Sequence, residues 1–169
     1  VECIFCTHFN DVIDVKGGND TLVGGTGDDN YDFTGVFGND TVTEASGEGN
    51  DTLRILSDIP AAAIRLVGDY NDDLYVVADG FGTIRLVDHL LAAKVESLKI
   101  GAAAPISLTG GLTMTGNANG ESIYGTHFND VIDGKGGNFT KVAGLSEVYT
   151  LFSAVSGNDA VPVASGEGN

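Results

Sequence analysis

Apolar positions in the first third of the chain come in very short alternating runs, each separated from the next by a polar, glycine-rich stretch. The pattern repeats every nine residues as G-G-x-G-x-D-x-(large apolar)-x, most cleanly in Gly24-Gly25-Thr26-Gly27-Asp28-Asp29-Asn30-Tyr31-Asp32. Two units precede it, Cys6 to Asp14 and Val15 to Val23, and two follow after small insertions, Gly35 to Thr43 and Ser46 to Arg54. All five carry aspartate at the sixth place (Asp11, Asp20, Asp29, Asp40, Asp51) and an apolar residue at the eighth. A glycine-rich half bends sharply and an alternating half extends, so each unit reads as a turn followed by a short strand. One such strand cannot bury its single large side chain alone, and the units must therefore stack.

From Ile55 to Thr113 the nonapeptides give way to longer alternating stretches: Ala63 to Val67, Leu74 to Val77 with Ala78, Thr83 to Val87, and Val95 to Ile100. Turn signals at Gly68 to Asp72 and Asp79 to Gly82 separate them, which predicts a β-meander, with one helical turn around His89 to Lys94. A second repeat encloses the first. Residues 1–50 return at 120–169 without a gap, 29 of the 50 positions being identical. The organisation expected is a roll-forming block at 1–54, a meander segment at 55–113 and the opening of another block at 114–169. The second copy restores glycine at Gly125 and Gly134 but has Phe139 in place of Asp20 and Val148 in place of Asp29. Either this copy has decayed into a metal-free cap or the letters between Phe139 and Ser156 are not reliable; Asp130 and Asp159 remain as ligand candidates in it.

Composition sharpens this picture. The 169 residues include 25 glycines and carry a formal charge of -16, ten of those negative charges lying between Val1 and Leu53, where eleven acidic residues face one lysine. No cluster of lysine or arginine offsets the acidity, which argues against nucleic-acid and anionic-membrane partners. No apolar stretch reaches a membrane span, and the start at Val1 shows no secretory leader pattern, so a soluble, mature, trimmed or partial chain is expected. Stacking the nonapeptides would also place their aspartates in rows of like charge about 4.8 Å or a small multiple apart. A hard divalent cation removes that repulsion and takes carboxylate and turn-carbonyl oxygens, the donor set calcium prefers.

The five nonapeptides resemble the RTX, or haemolysin-type, calcium-binding repeat. The resemblance implies an all-β fold in which successive units wind into a parallel β-roll, with Ca2+ between turns on the same side, two nonapeptides apart. It pairs Asp11 with Asp29, Asp20 with Asp40 and Asp29 with Asp51, together with turn carbonyls such as those of Gly17, Gly24 and Gly25. The middle segment is similar to the haemolysin-type calcium-binding-related stretch found between RTX blocks. In that family folding is coupled to calcium and serves type I secretion, the chain folding only on meeting calcium outside the cell.

Other signals favour structural roles. Cys3 and Cys6 form a C-x-x-C, but their repeat counterparts are Ser122 and Gly125, and three extended residues span about 10 Å, too far for an unstrained disulfide. His8 and His127 are repeat-equivalent turn residues expected to cover a neighbouring strand, and His89 stands alone. Metalloprotease, nucleophile-elbow and phosphate-loop motifs are absent. The expectation is a non-enzymatic, calcium-stabilised structural or adhesive repeat protein, secreted or on the cell surface. Self-association head to tail, into a filament or surface layer, follows from the open ends of a roll. The alternative is the accessory RTX module of a secreted enzyme or toxin.

Overall fold

The computed structural model describes residues 2–45, 47–56, 58–92, 94–117, 119 and 122–135, together with the backbone of two further strands at Thr140–Val142 and Tyr149–Leu151. Alternate strands of the nonapeptide region go to opposite sheets. β1 (Cys3–Phe5), β3 (Thr21–Val23) and β5 (Gly38–Thr43) pair in parallel in one sheet. β2 (Val12–Val15), β4 (Asn30–Phe33) and β6 (Thr52–Ile55) pair in parallel in the other. The chain therefore winds as a parallel β-roll, two nonapeptides per turn.

The nine-residue phase fixes the core. The eighth-place residues Ile13, Leu22, Tyr31, Val42 and Leu53 are all at most 5% exposed. They meet in register, Leu22 between Ile4 and Val42 in one sheet and Tyr31 between Ile13 and Leu53 in the other. Val15, Phe33 and Ile55 extend the same inward face by one alternation, and the Phe33 ring meets Phe37 edge-on with centroids 5.1 Å apart. The outward positions between them are polar: Asp32 and Arg54 are register partners and form a bidentate ion pair.

The middle segment forms the expected meander, but the roll absorbs part of it. β7 (Ile64–Gly68), β8 (Leu74–Ala78) and β9 (Gly82–Leu86) are antiparallel neighbours, and β9 also pairs in parallel with β5. The last alternating stretch, β10 (Ser97–Ile100), crosses to the other sheet and lies parallel to β6, with β11 (Ile106–Ser107) antiparallel at its edge. Around His89 the chain makes a run of turns in place of the expected helical turn. Beyond it, β12 (Thr113–Thr115), β14 (Val131–Asp133) and β16 (Tyr149–Leu151) form a three-stranded parallel sheet, and β13 (Ser122–Tyr124) pairs with β15 (Thr140–Val142). Among the described residues no helix is long and apolar enough to cross a membrane.

His89 secures the turns that return the chain to the roll. Its imidazole is 2% exposed, and Nδ1 accepts a hydrogen bond from the backbone N–H of Lys94 at 3.2 Å. That leaves the proton on Nε2, which donates to the Leu108 carbonyl at 3.2 Å. Burial, and to a lesser degree the Lys94 charge, push its pKa down to about 4. Unfolded, the same histidine binds a proton near pH 6.5. Its stabilising contribution is thus complete above pH 6.5 and is lost as the pH falls toward 4. Urea unfolding of the parent and of His89→Gln between pH 7.5 and 4, at fixed calcium, checks this. The difference between them should shrink on acidification by on the order of 2–3 kcal/mol.

Candidate metal centre

The sixth-place aspartates form two ladders, one at each bend of the roll. On one side Glu2 N–H donates to Asp20 Oδ1 at 2.7 Å and Asp20 N–H to Asp40 Oδ1 at 2.8 Å. On the other, Asp11 N–H donates to Asp29 Oδ1 at 2.8 Å, Asp29 N–H to Asp51 Oδ1 at 2.9 Å, and Asp51 N–H to Glu96 Oε2 at 2.6 Å. Asp11 is therefore adjacent to Asp29, Asp20 to Asp40 and Asp29 to Asp51. The insertion before Gly35 is absorbed in the turn and leaves these pairings in step.

Each rung uses one carboxylate oxygen to hold the turn before it. Several of the second oxygens are stranded: Asp29 Oδ2, Asp40 Oδ2 and Glu44 Oε2 are buried with no hydrogen-bond partner. An unsatisfied buried carboxylate oxygen is costly, and an ion is one of the few things that relieves it. Among the described residues, Asp29, Glu44 and Asp51 bring one oxygen each within 4.8 Å of one another, all three residues being at most 5% exposed. Glu44 Oε1 accepts from Gly24 N–H at 3.1 Å and from the Tyr31 hydroxyl. Gly24 closes the group: a Cβ built there would lie 2.1 Å from Glu44 Oε1, 2.3 Å from the Tyr31 hydroxyl and 2.5 Å from Asp29 Oδ2. The donor set is hard, anionic and compact, and fits a divalent cation such as calcium.

The electrostatics agree. Burial pushes Asp40 and Asp51 up to about 6, against the opposing pull of the backbone N–H each accepts. Burial likewise raises Asp29 and takes Glu44 up to about 7, with the neighbouring Asp51 and Asp29 charges adding to the rise at Glu44. The Tyr31 hydroxyl is held firmly protonated by burial and by its bond to Glu44. Without a cation the ionised site is uncomfortable, since its charges are close, buried and of one sign.

The other sequence candidates lie in further turns of the ladders. Gly17 lies against the Val36 carbonyl and Gly25 against the Thr7 carbonyl, each in an adjoining turn. Asp130 continues the ladder logic in the second block, accepting from Leu112 N–H at 2.8 Å and from Thr126 N–H at 2.7 Å. Asp159 lies outside the described residues. Cys3 and Cys6 are free thiols. His8 caps the neighbouring turn through Thr26 Oγ1 at 3.3 Å.

Two carboxylates escaped the sequence reading. Glu44 lies in the two-residue insertion between the units Gly35 to Thr43 and Ser46 to Arg54, so the nonapeptide pattern skips it. Glu96 lies 45 residues beyond Asp51, yet Glu96-Ser97-Leu98-Lys99-Ile100 mirrors Asp51-Thr52-Leu53-Arg54-Ile55 position by position, and the two segments pair in that register.

Fold and site together define an all-β roll with carboxylate ladders at its bends. No family model matches the chain, and no curated protein matches it. Among solved structures it is similar to the extracellular lipase LipA from Serratia marcescens, with a TM-score of 0.51 and 19% sequence identity over 94% of this chain. The match spans 27% of that lipase and concerns the fold alone.

Proposed function

We propose that this chain is a calcium-stabilised, non-enzymatic repeat module of a secreted or cell-surface protein, of the RTX kind its nonapeptides resemble. The observation that carries the reading is the buried Asp29, Glu44 and Asp51 cluster, with Asp29 Oδ2 and Glu44 Oε2 unpartnered. Calcium supplies the positive charge that lets the carboxylates stay ionised while the turns close. Asp11, Asp20 and Asp40 extend the same chemistry along both ladders, and Asp130 begins it again in the second block. Because the apo turns must hold like charges together, metal binding and folding become one equilibrium. A chain of this design stays open at low calcium and folds where calcium is plentiful, as extracellular use requires. Isothermal calorimetry tests the reading: calcium should bind with coupled folding heat, and Asp29→Asn with Glu44→Gln should remove the tightest class of sites. Calcium binding indifferent to both substitutions would refute the assignment.

A second reading, an accessory folding module of a larger secreted enzyme, draws on the likeness to part of an extracellular lipase. A catalytic domain encoded beside this segment would favour it; further 119-residue units on both sides would favour a scaffold or adhesin.

A further inference from the structure

The outer face of the sheet that carries β4, β6 and β10 is built from two ranks of side chains. Tyr31, Phe33, Leu53, Ile55 and Leu98 are buried in the core, so alternation turns the residues between them outward. Asn30, Thr52 and Ser97 are register partners in one rank, and Asp32, Arg54 and Lys99 in the next. The ranks lie about 7 Å apart along the strands, and each spans about 10 Å across them.

The charged rank does not balance. Asp32 takes Arg54 Nε and Nη2 in its bidentate pair, which leaves Nη1 unengaged. Lys99 stands directly opposite Arg54, like charge against like, an arrangement that costs stability. Among the described side chains every other lysine and arginine belongs to an ion pair, and Lys99 does not. A half-buried ammonium without a counter-ion is out of place in a chain where 24 acidic residues meet 8 basic ones. Beside it lies a hollow of about 260 Å³, lined by Asp32, Arg54, Leu56, Lys99 and Gly101. The neighbouring rank is uncharged and idle: the Asn30 amide and the Thr52 and Ser97 hydroxyls have no hydrogen-bond partner among the described residues.

We infer that this face binds an acidic saccharide. Its anionic group sits in the hollow and accepts from Lys99 Nζ and Arg54 Nη1, while sugar hydroxyls exchange hydrogen bonds with Asn30, Thr52 and Ser97. An extended peptide has little to hold here. The backbone groups of β4, β6 and β10 are engaged by strands on both sides, and Leu56 is the one apolar side chain lining the hollow. The inference gives the adhesive side of the proposed module a ligand class, but it draws on the outer sheet face and not on the calcium-binding bends.

Calorimetric titration of the full chain with trigalacturonate in millimolar calcium tests it, beside maltotriose as the neutral sugar and inorganic sulfate as the anion without a sugar. Trigalacturonate should bind saturably, maltotriose should not, and sulfate should bind far more weakly. Lys99→Gln should weaken trigalacturonate binding at least about tenfold, as the loss of a charged hydrogen bond implies. Thr52→Val keeps the branched strand residue and should weaken trigalacturonate without affecting sulfate. Lys16→Gln alters a lysine already paired with Asp14 and should change neither. Should Lys99→Gln misfold, the Lys99 side-chain NMR signals of the parent, which are expected to shift on titration, still decide the matter. No binding at millimolar trisaccharide overturns the inference, as does binding that survives Lys99→Gln, the sign of calcium bridging to the acidic bends. Equal binding of sulfate and trigalacturonate would overturn the saccharide assignment. Calcium-coupled folding without capture would cost this inference alone; capture by a chain that folds fully in EGTA would uphold it and cost the calcium reading alone.

Discussion

Asp29→Asn should reverse the sign of its effect with calcium. The amide is isosteric and keeps an acceptor for Asp11 N–H, the 2.8 Å rung that ties one turn to the next. What it removes is one charge from a buried group of three. In chelator the substitution relieves repulsion between carboxylates that burial already raises, and the residual folded fraction should exceed that of the parent. In millimolar calcium the same change deletes a ligand, and the variant should lose about 3–4 kcal/mol of ligand-linked stability, the amount supplied by an ion at 100 to 1,000 times its dissociation constant. Circular dichroism through urea titrations, with and without calcium, measures both arms. A variant destabilised equally in both conditions would show that Asp29 acts only as a turn acceptor.

Gly38→Ala should be the most damaging of the small substitutions. Gly38 has φ +95°, and a Cβ there would sit 1.7 Å from the Gly18 carbonyl, one full turn of the roll away. The change combines left-handed backbone cost with a clash against backbone that cannot swing aside, and should cost at least about 3 kcal/mol. Gly47→Ala is the matched control: φ is +80° but nothing lies within 4 Å of its Cβ, so only the conformational part, about 1–2 kcal/mol, applies. The difference between the two melting shifts isolates the stacking of turn on turn. Equal shifts would mean that the turns are not packed as closely as the roll requires.

Much of the roll was legible because two positions in nine carry it. The eighth place needs an apolar side chain to fill a narrow interior, and Ile13, Leu22, Tyr31, Val42 and Leu53 do so; the sixth needs an acceptor for the preceding turn, and the aspartates supply it. Alternation, by contrast, says that a segment is extended but not which strand it joins. The parallel pairings of β9 with β5 and β10 with β6 were therefore hidden, although Glu96 to Ile100 carries the imprint of Asp51 to Ile55. Around His89, Leu90 is buried and Leu91 is 58% exposed, a contrast that helical spacing alone would not resolve and that the imidazole's two backbone contacts settle in favour of turns. Glu44 was illegible for a different reason. A residue inserted between two nonapeptides reads as filler until the fold turns its carboxylate inward, toward Asp29 and Asp51.

The proposed function turns on cation binding and folding of the roll being one equilibrium. Far-UV circular dichroism of the full chain, titrated with calcium from excess EGTA, tests it most directly. A cooperative gain of β-structure with calcium, reversed by chelator and not reproduced by an equal ionic strength of sodium, is the result the carboxylate ladders require. A complete β-spectrum in excess EGTA, unchanged by calcium, would contradict it.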